Sequence, residues 1–183
     1  MNAAENLLAL RPALLRRTVH DRNEVRHPES HFLDFVIDGQ SLSDLIPEGQ
    51  GLVTPFNRPW LATVPEAVEQ LRGRKPCTDL APGRVPLLVC GECGDLACGA
   101  VTTALDVGQT TTTWADFRWE DGATPSTSIH VPSERLSFSS RIYLDVVSDA
   151  AERVAGLPYD QLANEGRRSR WPWQWGWRLP KED

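Results

Sequence analysis

The segment spanning residues 85–120 constrains the fold more than any other, because it is the part of the chain richest in strand-forming residues. Residues 85–89 are a short apolar run that ends in a Gly/Cys cluster, and residues 100–105 are a second run rich in Ala, Val and Thr. The third run, residues 110–119, follows a turn that contains Asp and Gly. Runs of this length between turn residues predict strands, so we expect a three-stranded antiparallel meander.

The third run also predicts which side chains share a face of the sheet, since successive strand residues point to opposite sides. One predicted face carries Thr112, Trp114, Asp116 and Arg118, and the other carries Thr113, Ala115, Phe117 and Trp119. We expect this alternation to hold along the whole strand.

The loop that joins the first two runs contains three of the four cysteines, Cys90, Cys93 and Cys98. A C-x-x-C-G turn lets two thiolates converge on one ion, because glycine permits the tight reversal, and Cys98 is a natural third ligand. Zinc then needs a fourth ligand to complete its tetrahedron. The candidates are Cys77, in the loop before the first strand, and the histidines His20, His27, His31 and His130. The predicted metal ligands are therefore Cys90, Cys93, Cys98 and Cys77, with Zn²⁺ as the cofactor.

Two other interpretations of this loop stay open. Cys90 and Cys98 flank seven residues and would lie opposite each other across a hairpin, close enough for a disulfide. A reactive thiol needs positive surroundings, however, and this loop offers Glu92 and Asp95. Alternatively, the cysteines are small buried side chains in a glycine-rich turn, which is common for free cysteine. The chain has no second C-x-x-C pair that would favour the metal interpretation.

The same loop gives the chain a family resemblance. The stretch VCGECGDLACGAVT, followed by Trp-Ala-Asp-Phe at residues 114–117, resembles a family of uncharacterised bacterial proteins, mainly from actinobacteria. Those proteins often read C-P-E-C-G-D-L-G-C-G here, where this chain has Gly91 for the proline and Ala97 for a glycine. The similarity spans about residues 32–154 and includes Ile-Asp-Gly-Gln at residues 37–40. Some members are labelled oxidoreductases, but the resemblance implies only that the loop characterises the family, without a reaction.

Composition and charge argue against several classes of function. The chain has 183 residues, enough for one domain with a sizeable core, and its charged fraction of 24% is typical of a soluble globular protein. A net charge of −6 argues against nucleic acid or an anionic membrane surface as the main partner. The sequence contains no apparent secretory signal or transmembrane stretch, so we expect a cytoplasmic protein with reduced, metal-bound or redox-active cysteines.

The remaining elements predict the α+β class, with a single domain built on a mostly antiparallel sheet of about five strands. Residues 31–37 predict a further strand, and residues 63–72 and 141–155 predict two helices that pack on the sheet. Near the start, residues 2–10 predict a short helix and residues 14–20 an edge strand. We divide the chain into an N-terminal segment at 1–30, a core domain at 31–157 and a C-terminal tail at 158–183.

The tail is rich in arginine and tryptophan. Its alternating tryptophans would all face one way in an extended chain, and they are Trp171, Trp173, Trp175 and Trp177. They either cover an apolar groove of the domain itself or anchor a protein partner, since Trp and Arg are enriched in interface hot spots. Stacking on nucleic acid is a minor alternative, because the chain as a whole is acidic.

No motif for a catalytic serine, a bound phosphate, a zinc protease or a dinucleotide occurs in the sequence. Our leading prediction is therefore a non-catalytic protein-interaction module with a structural, zinc-binding cysteine loop and a protein partner or second copy as its target. The alternative is a thiol–disulfide oxidoreductase or redox sensor that uses Cys90, Cys93 and Cys98.

Overall fold

The protein is described by a computed structural model that covers residues 5–16, 29–49, 51–122, 124–129, 131 and 133–161. It has antiparallel sheets and few helices, consistent with the predicted α+β class. The strands are β1 (Leu8–Leu15), β2 (Ser30–Ile37), β3 (Gln40–Ser41), β4 (Leu52–Val53), β5 (Arg84–Cys90), β6 (Ala100–Val107), β7 (Thr111–Glu120), β8 (Thr127–Ser128) and β9 (Arg135–Ser139). The helices are α1 (Leu42–Leu45), α2 (Val64–Leu71), α3 (Ser140–Ser148) and α4 (Ala150–Ala155), with short 3-10 turns at Pro47–Gly49, Arg58–Trp60 and Leu96–Cys98.

The strands form two sheets rather than the single predicted sheet of about five strands. The first has the order β1-β2-β3, and the second has the order β4-β5-β6-β7, with β8 and β9 both paired to the far edge of β7. The pairs β5–β6 and β6–β7 are antiparallel neighbours, which confirms the predicted meander. Among the described helices, none combines the length and the apolar character needed to cross a membrane.

Hydrogen bonds tie the first sheet to β9 at one place and to the segment that follows β4 at another. The amide of Asn6, just before β1, donates to the carbonyl of Ser137 in β9 at 2.7 Å, and its side-chain oxygen accepts from the Ser137 amide at 3.0 Å. At the second place, the amide of Leu33 in β2 donates to the carbonyl of Phe56, which follows β4 in the chain, at 3.0 Å. Residues of both sheets belong to one shared hydrophobic core.

Aromatic side chains fill the centre of this core. The ring of Phe35 from the first sheet meets the indole of Trp114 from the second sheet edge-to-face, with centroids 5.2 Å apart. Phe138 and Tyr143 contact the same indole. The buried hydroxyl of Tyr143 donates to the carbonyl of Leu71 at the end of α2, at 2.9 Å. Helices α2 and α3 are thus joined through the aromatic cluster, which places them over the core.

Strand β1 includes residues 8–10, where the sequence predicted the end of a helix over residues 2–10. β1 pairs along its whole length with β2, and Leu8 and Leu10 are part of the core. Pro12 lies opposite Leu33, whose amide is directed away from β1 toward Phe56, so the missing N–H of proline breaks no ladder bond. The helix prediction was wrong because pairing with β2 outweighs the weak local preference of a short segment.

The predicted face alternation of β7 is wrong beyond Ala115. Thr102 pairs with Arg118 and Ala104 with Ala115, so two residues of β7 oppose one residue of β6. Asp116 occupies this β-bulge with a φ of +51°. The bulge shifts the period by one residue, and Trp114 and Phe117, predicted on opposite faces, are both buried in the core.

The helix prediction is right for α2 and partly right for the C-terminal helix. α2 buries Val64, Ala67, Val68 and Leu71, as the apolar spacing indicates. The predicted helix at 141–155 is two helices, since Asp149 interrupts the regular pattern between α3 and α4. The tryptophans of the predicted tail lie outside the described residues, and so do His20, His27 and His130.

Candidate metal centre

The cysteine loop is held between two paired strands. Cys90 is the last residue of β5, where it pairs with Leu52 of β4, and the next ladder pair joins Val89 to Ala100 at the start of β6. The two ends of the loop are thereby fixed next to each other, as the sequence predicted for the connection between the first two strands of the meander.

Two tight turns fold this loop back on itself. The amide of Gly94 donates to the carbonyl of Cys90 at 2.9 Å, and Gly94 has a φ of +71°, which glycine adopts readily. A 3-10 turn at Leu96–Cys98 follows, and the side chain of Asp95 caps it by accepting from the Ala97 amide at 2.8 Å. These turns return Cys98 toward Cys93.

The three sulfur atoms meet as a result. The Sγ atoms of Cys90, Cys93 and Cys98 all lie within 4.8 Å of one another. The Sγ atoms of Cys93 and Cys98 are in contact at 3.3 Å, and the amide of Asp95 donates to the Cys93 sulfur at 3.4 Å. Cys98 is exposed, whereas Cys90 and Cys93 are half-buried, so the cluster opens to solvent on the Cys98 side.

The electrostatics of the cluster favour a charged Cys90. The side chain of Cys93 donates a hydrogen bond to the Cys90 sulfur, which lowers the pKa of Cys90. Burial opposes this effect, whereas hydrogen bonds from the backbone amides of Cys93 and Glu92 reinforce it. The net result is a pKa of about 5 for Cys90. The same shared proton raises the pKa of Cys93. In the metal-free cluster, one thiolate is therefore stabilised by a neighbouring thiol that keeps its proton.

Cys77 does not join this group. It lies in the loop between α2 and β5, where its carbonyl accepts from the Leu80 amide at 3.3 Å, and burial raises the pKa of its thiol. Among the residues that the structure describes, the group able to hold a metal consists of Cys90, Cys93 and Cys98, and His31 is not part of it. The structure thus brings together three of the four predicted ligands.

Two tryptophans to which the sequence analysis gave no role at the cysteine loop pack against its glycines. A methyl group at Gly94 would lie 3.3 Å from the indole of Trp60, and one at Gly99 would lie 2.6 Å from Cη2 of Trp119. Gly99 has a φ of +111°. In the sequence, Gly94 and Gly99 beside the cysteines indicate that another group packs closely against the loop backbone. They do not indicate that this group is the indole of Trp60 or Trp119.

A separate polar cluster lies beside the β7 bulge. The buried guanidinium of Arg84 donates to Asp116 at 2.9 Å and to Glu120 at 3.1 Å, and also to the hydroxyl of Thr102 at 2.7 Å. Asp116 also accepts a hydrogen bond from Arg118. This bond and the positive charge of Arg118 lower the pKa of Asp116 below its usual value, and the charge of Arg84 lowers it further. Both carboxylates are engaged in ion pairs, so we interpret this cluster as stabilising the bulge.

Comparison with protein-family models finds no match for this chain. Comparisons with curated proteins and with solved structures likewise find no similar protein. The family resemblance of the cysteine loop therefore stays a prediction, and the functional argument depends on the geometry of the cluster.

Proposed function

We propose that Cys90, Cys93 and Cys98 form a thiolate centre for zinc, and that the bound ion fixes the exposed loop of a non-catalytic binding module. The observation that carries this proposal is the convergence of three sulfur atoms within 4.8 Å of one another. A tetrahedral zinc ion with Zn–S bonds of about 2.3 Å separates its sulfur ligands by about 3.8 Å. The Cys93–Cys98 separation of 3.3 Å lies just below that value, so small side-chain movements suffice to bind the ion.

The donor set argues for a soft or borderline cation. Three sulfur ligands favour zinc or copper(I) over magnesium or calcium, which prefer oxygen. Zinc fits the tetrahedral C-x-x-C turn best, with three positions filled by the chain and one by a further ligand. Because the loop carries few apolar side chains of its own, an ion bound to three of its residues would supply much of its order.

Metal content measured on the purified, reduced chain tests this proposal. We expect about one zinc per chain, detected by mass spectrometry, and a cobalt(II)-loaded form with sulfur-to-metal charge-transfer absorption. The variants Cys90→Ser, Cys93→Ser and Cys98→Ser should each weaken zinc binding by at least about tenfold, since each removes one ligand. Cys77→Ser is the matched control and should keep the metal.

Two results would overturn the proposal. One is reduced wild-type protein that takes up no zinc at any concentration that saturates ordinary thiolate sites. The other is equal loss of zinc in Cys77→Ser and in the three loop variants, which would mean that the observed cluster is not the site. The expected protein partner or second copy depends on the tryptophan tail, and it stays a prediction.

A further inference from the structure

We propose that Cys93 and Cys98 are a redox pair, which a hydroperoxide oxidises to a disulfide so that the site releases its metal ion. This inference rests on the proposed zinc centre and names its regulation. The sequence pointed instead to Cys90 and Cys98 as the pair that faces across the hairpin. The structure places the sulfurs of Cys93 and Cys98 in direct contact, 3.3 Å apart.

The backbone already holds this pair nearly in bonding position. The two sulfurs lie 3.3 Å apart, and a disulfide needs about 2.05 Å, so closure requires a movement of little more than about 1 Å. The Cys98 amide donates to the carbonyl of Asp95 at 3.2 Å, and the Asp95 amide donates to the Cys93 sulfur at 3.4 Å. Because these bonds close the intervening turn, forming the disulfide costs little additional chain entropy.

The exposure of the three cysteines sets the order of events. Cys98 is exposed, whereas Cys90 and Cys93 are partly covered, so a small hydroperoxide reaches Cys98 first. Cys90 is held by its place at the end of β5, where it pairs with Leu52. It therefore remains as a single sulfur ligand after the other two have bonded to each other.

The reaction balances with a hydroperoxide as the only oxidant. The sulfur of Cys98 attacks one peroxide oxygen, the O–O bond breaks, and Cys98 becomes a sulfenic acid while the second oxygen leaves as water or an alcohol. The sulfur of Cys93 then attacks the Cys98 sulfur, the S–O bond breaks, and water leaves. Two electrons pass from the two sulfurs to the peroxide, and two protons are taken up from the thiols or from solvent. The disulfide sulfurs no longer carry the charge that held the ion.

Peptide mapping distinguishes the three disulfides that are possible within the loop, because acidic residues separate its cysteines in the sequence. A glutamate-specific protease cleaves after Glu92, and an aspartate-specific protease cleaves before Asp95, so each cysteine falls in a different fragment. Hydrogen peroxide is added to the zinc-loaded full chain, and released zinc is followed with a colorimetric chelator. We expect the Cys93-Gly94 dipeptide linked to the fragment that contains Cys98, with one zinc released per disulfide and both effects reversed by dithiothreitol.

Disulfide formation is also measured in four cysteine variants and in the metal-free protein. Cys90→Ser and Cys77→Ser should still form the disulfide, whereas Cys93→Ser and Cys98→Ser should not. A link from Cys90 to either partner, or zinc release with Cys93 and Cys98 both still reduced, would overturn the inference. If reduced protein binds no zinc, the proposed function fails, but oxidation of the metal-free chain still tests the pair. If zinc binds and no Cys93–Cys98 disulfide forms, only this inference fails.

Discussion

Replacing Gly99 with alanine should destabilise the fold strongly, because this glycine combines an unusual backbone conformation with a close aromatic neighbour. Its φ of +111° and ψ of 130° lie outside the regions that side chains tolerate, which costs about 1–3 kcal/mol for a residue with a Cβ. The added methyl group would also lie 2.6 Å from Cη2 of Trp119, and overpacking of this kind costs about 1–3 kcal/mol. We expect a loss of about 3–4 kcal/mol in the free energy of unfolding.

Gly83→Ala is the matched control. Gly83 also has a positive φ, +79°, but a methyl group there would have no atom within 4 Å. It should cost only the backbone component, about 1–2 kcal/mol. Urea unfolding should therefore separate the two variants by about 2 kcal/mol, and thermal unfolding by about 4–8 °C.

A double-mutant cycle tests the cause of that difference. In a Trp119→Val background the methyl group of Gly99→Ala has room, so its cost should fall toward that of Gly83→Ala. If Gly99→Ala is no more destabilising than Gly83→Ala in the wild-type background, the reasoning from the Trp119 contact is refuted.

Two further predictions concern charged groups away from the cysteines. Arg84→Met should lower the free energy of unfolding, measured in urea, by about 3 kcal/mol, because it leaves Asp116 and Glu120 without their buried cation. Arg118→Met should lower it by less than about 1 kcal/mol, since Arg118 is 39% exposed. Equal losses in the two variants would contradict this reasoning. Burial raises the pKa of Asp34 above the 3.8 of an exposed carboxyl, so its contribution to stability falls as pH rises through that window. Asp34→Asn should therefore gain stability relative to wild type as the pH rises above about 4, and a difference that does not change with pH would show that Asp34 does not titrate as described.

The sequence predicted the features that depend on neighbouring residues. The meander of β5, β6 and β7 follows from its β-branched runs and its Asp/Gly turn, and the convergence of Cys90, Cys93 and Cys98 follows from the C-x-x-C-G spacing between two paired strands. In both cases, the local chemistry and the tertiary structure agree.

The features that the sequence did not predict depend on which strands pair and in what register. The bulge at Asp116 reverses the inward-facing set of β7, and no residue type there requires it. β1 is a strand because it pairs along its whole length with β2, and the local sequence does not show this pairing. Likewise, the sequence did not show that Cys77 lies outside the sulfur cluster. A cysteine in the loop before β5 could lie either within reach of the other three or away from them, and only the tertiary structure distinguishes the two.

The hydrogen bonds between Asn6 and Ser137 have a consequence for how the chain folds during synthesis. These partners are separated by 131 positions, so the first strand cannot complete its contacts until β9 has left the ribosome. Such a long-range closure adds to the contact order and slows folding. The β1–β2 pair can thus form early in synthesis, but the groups of Asn6 that bond Ser137 have no partner until β9 has been made, so this contact between the two sheets closes late.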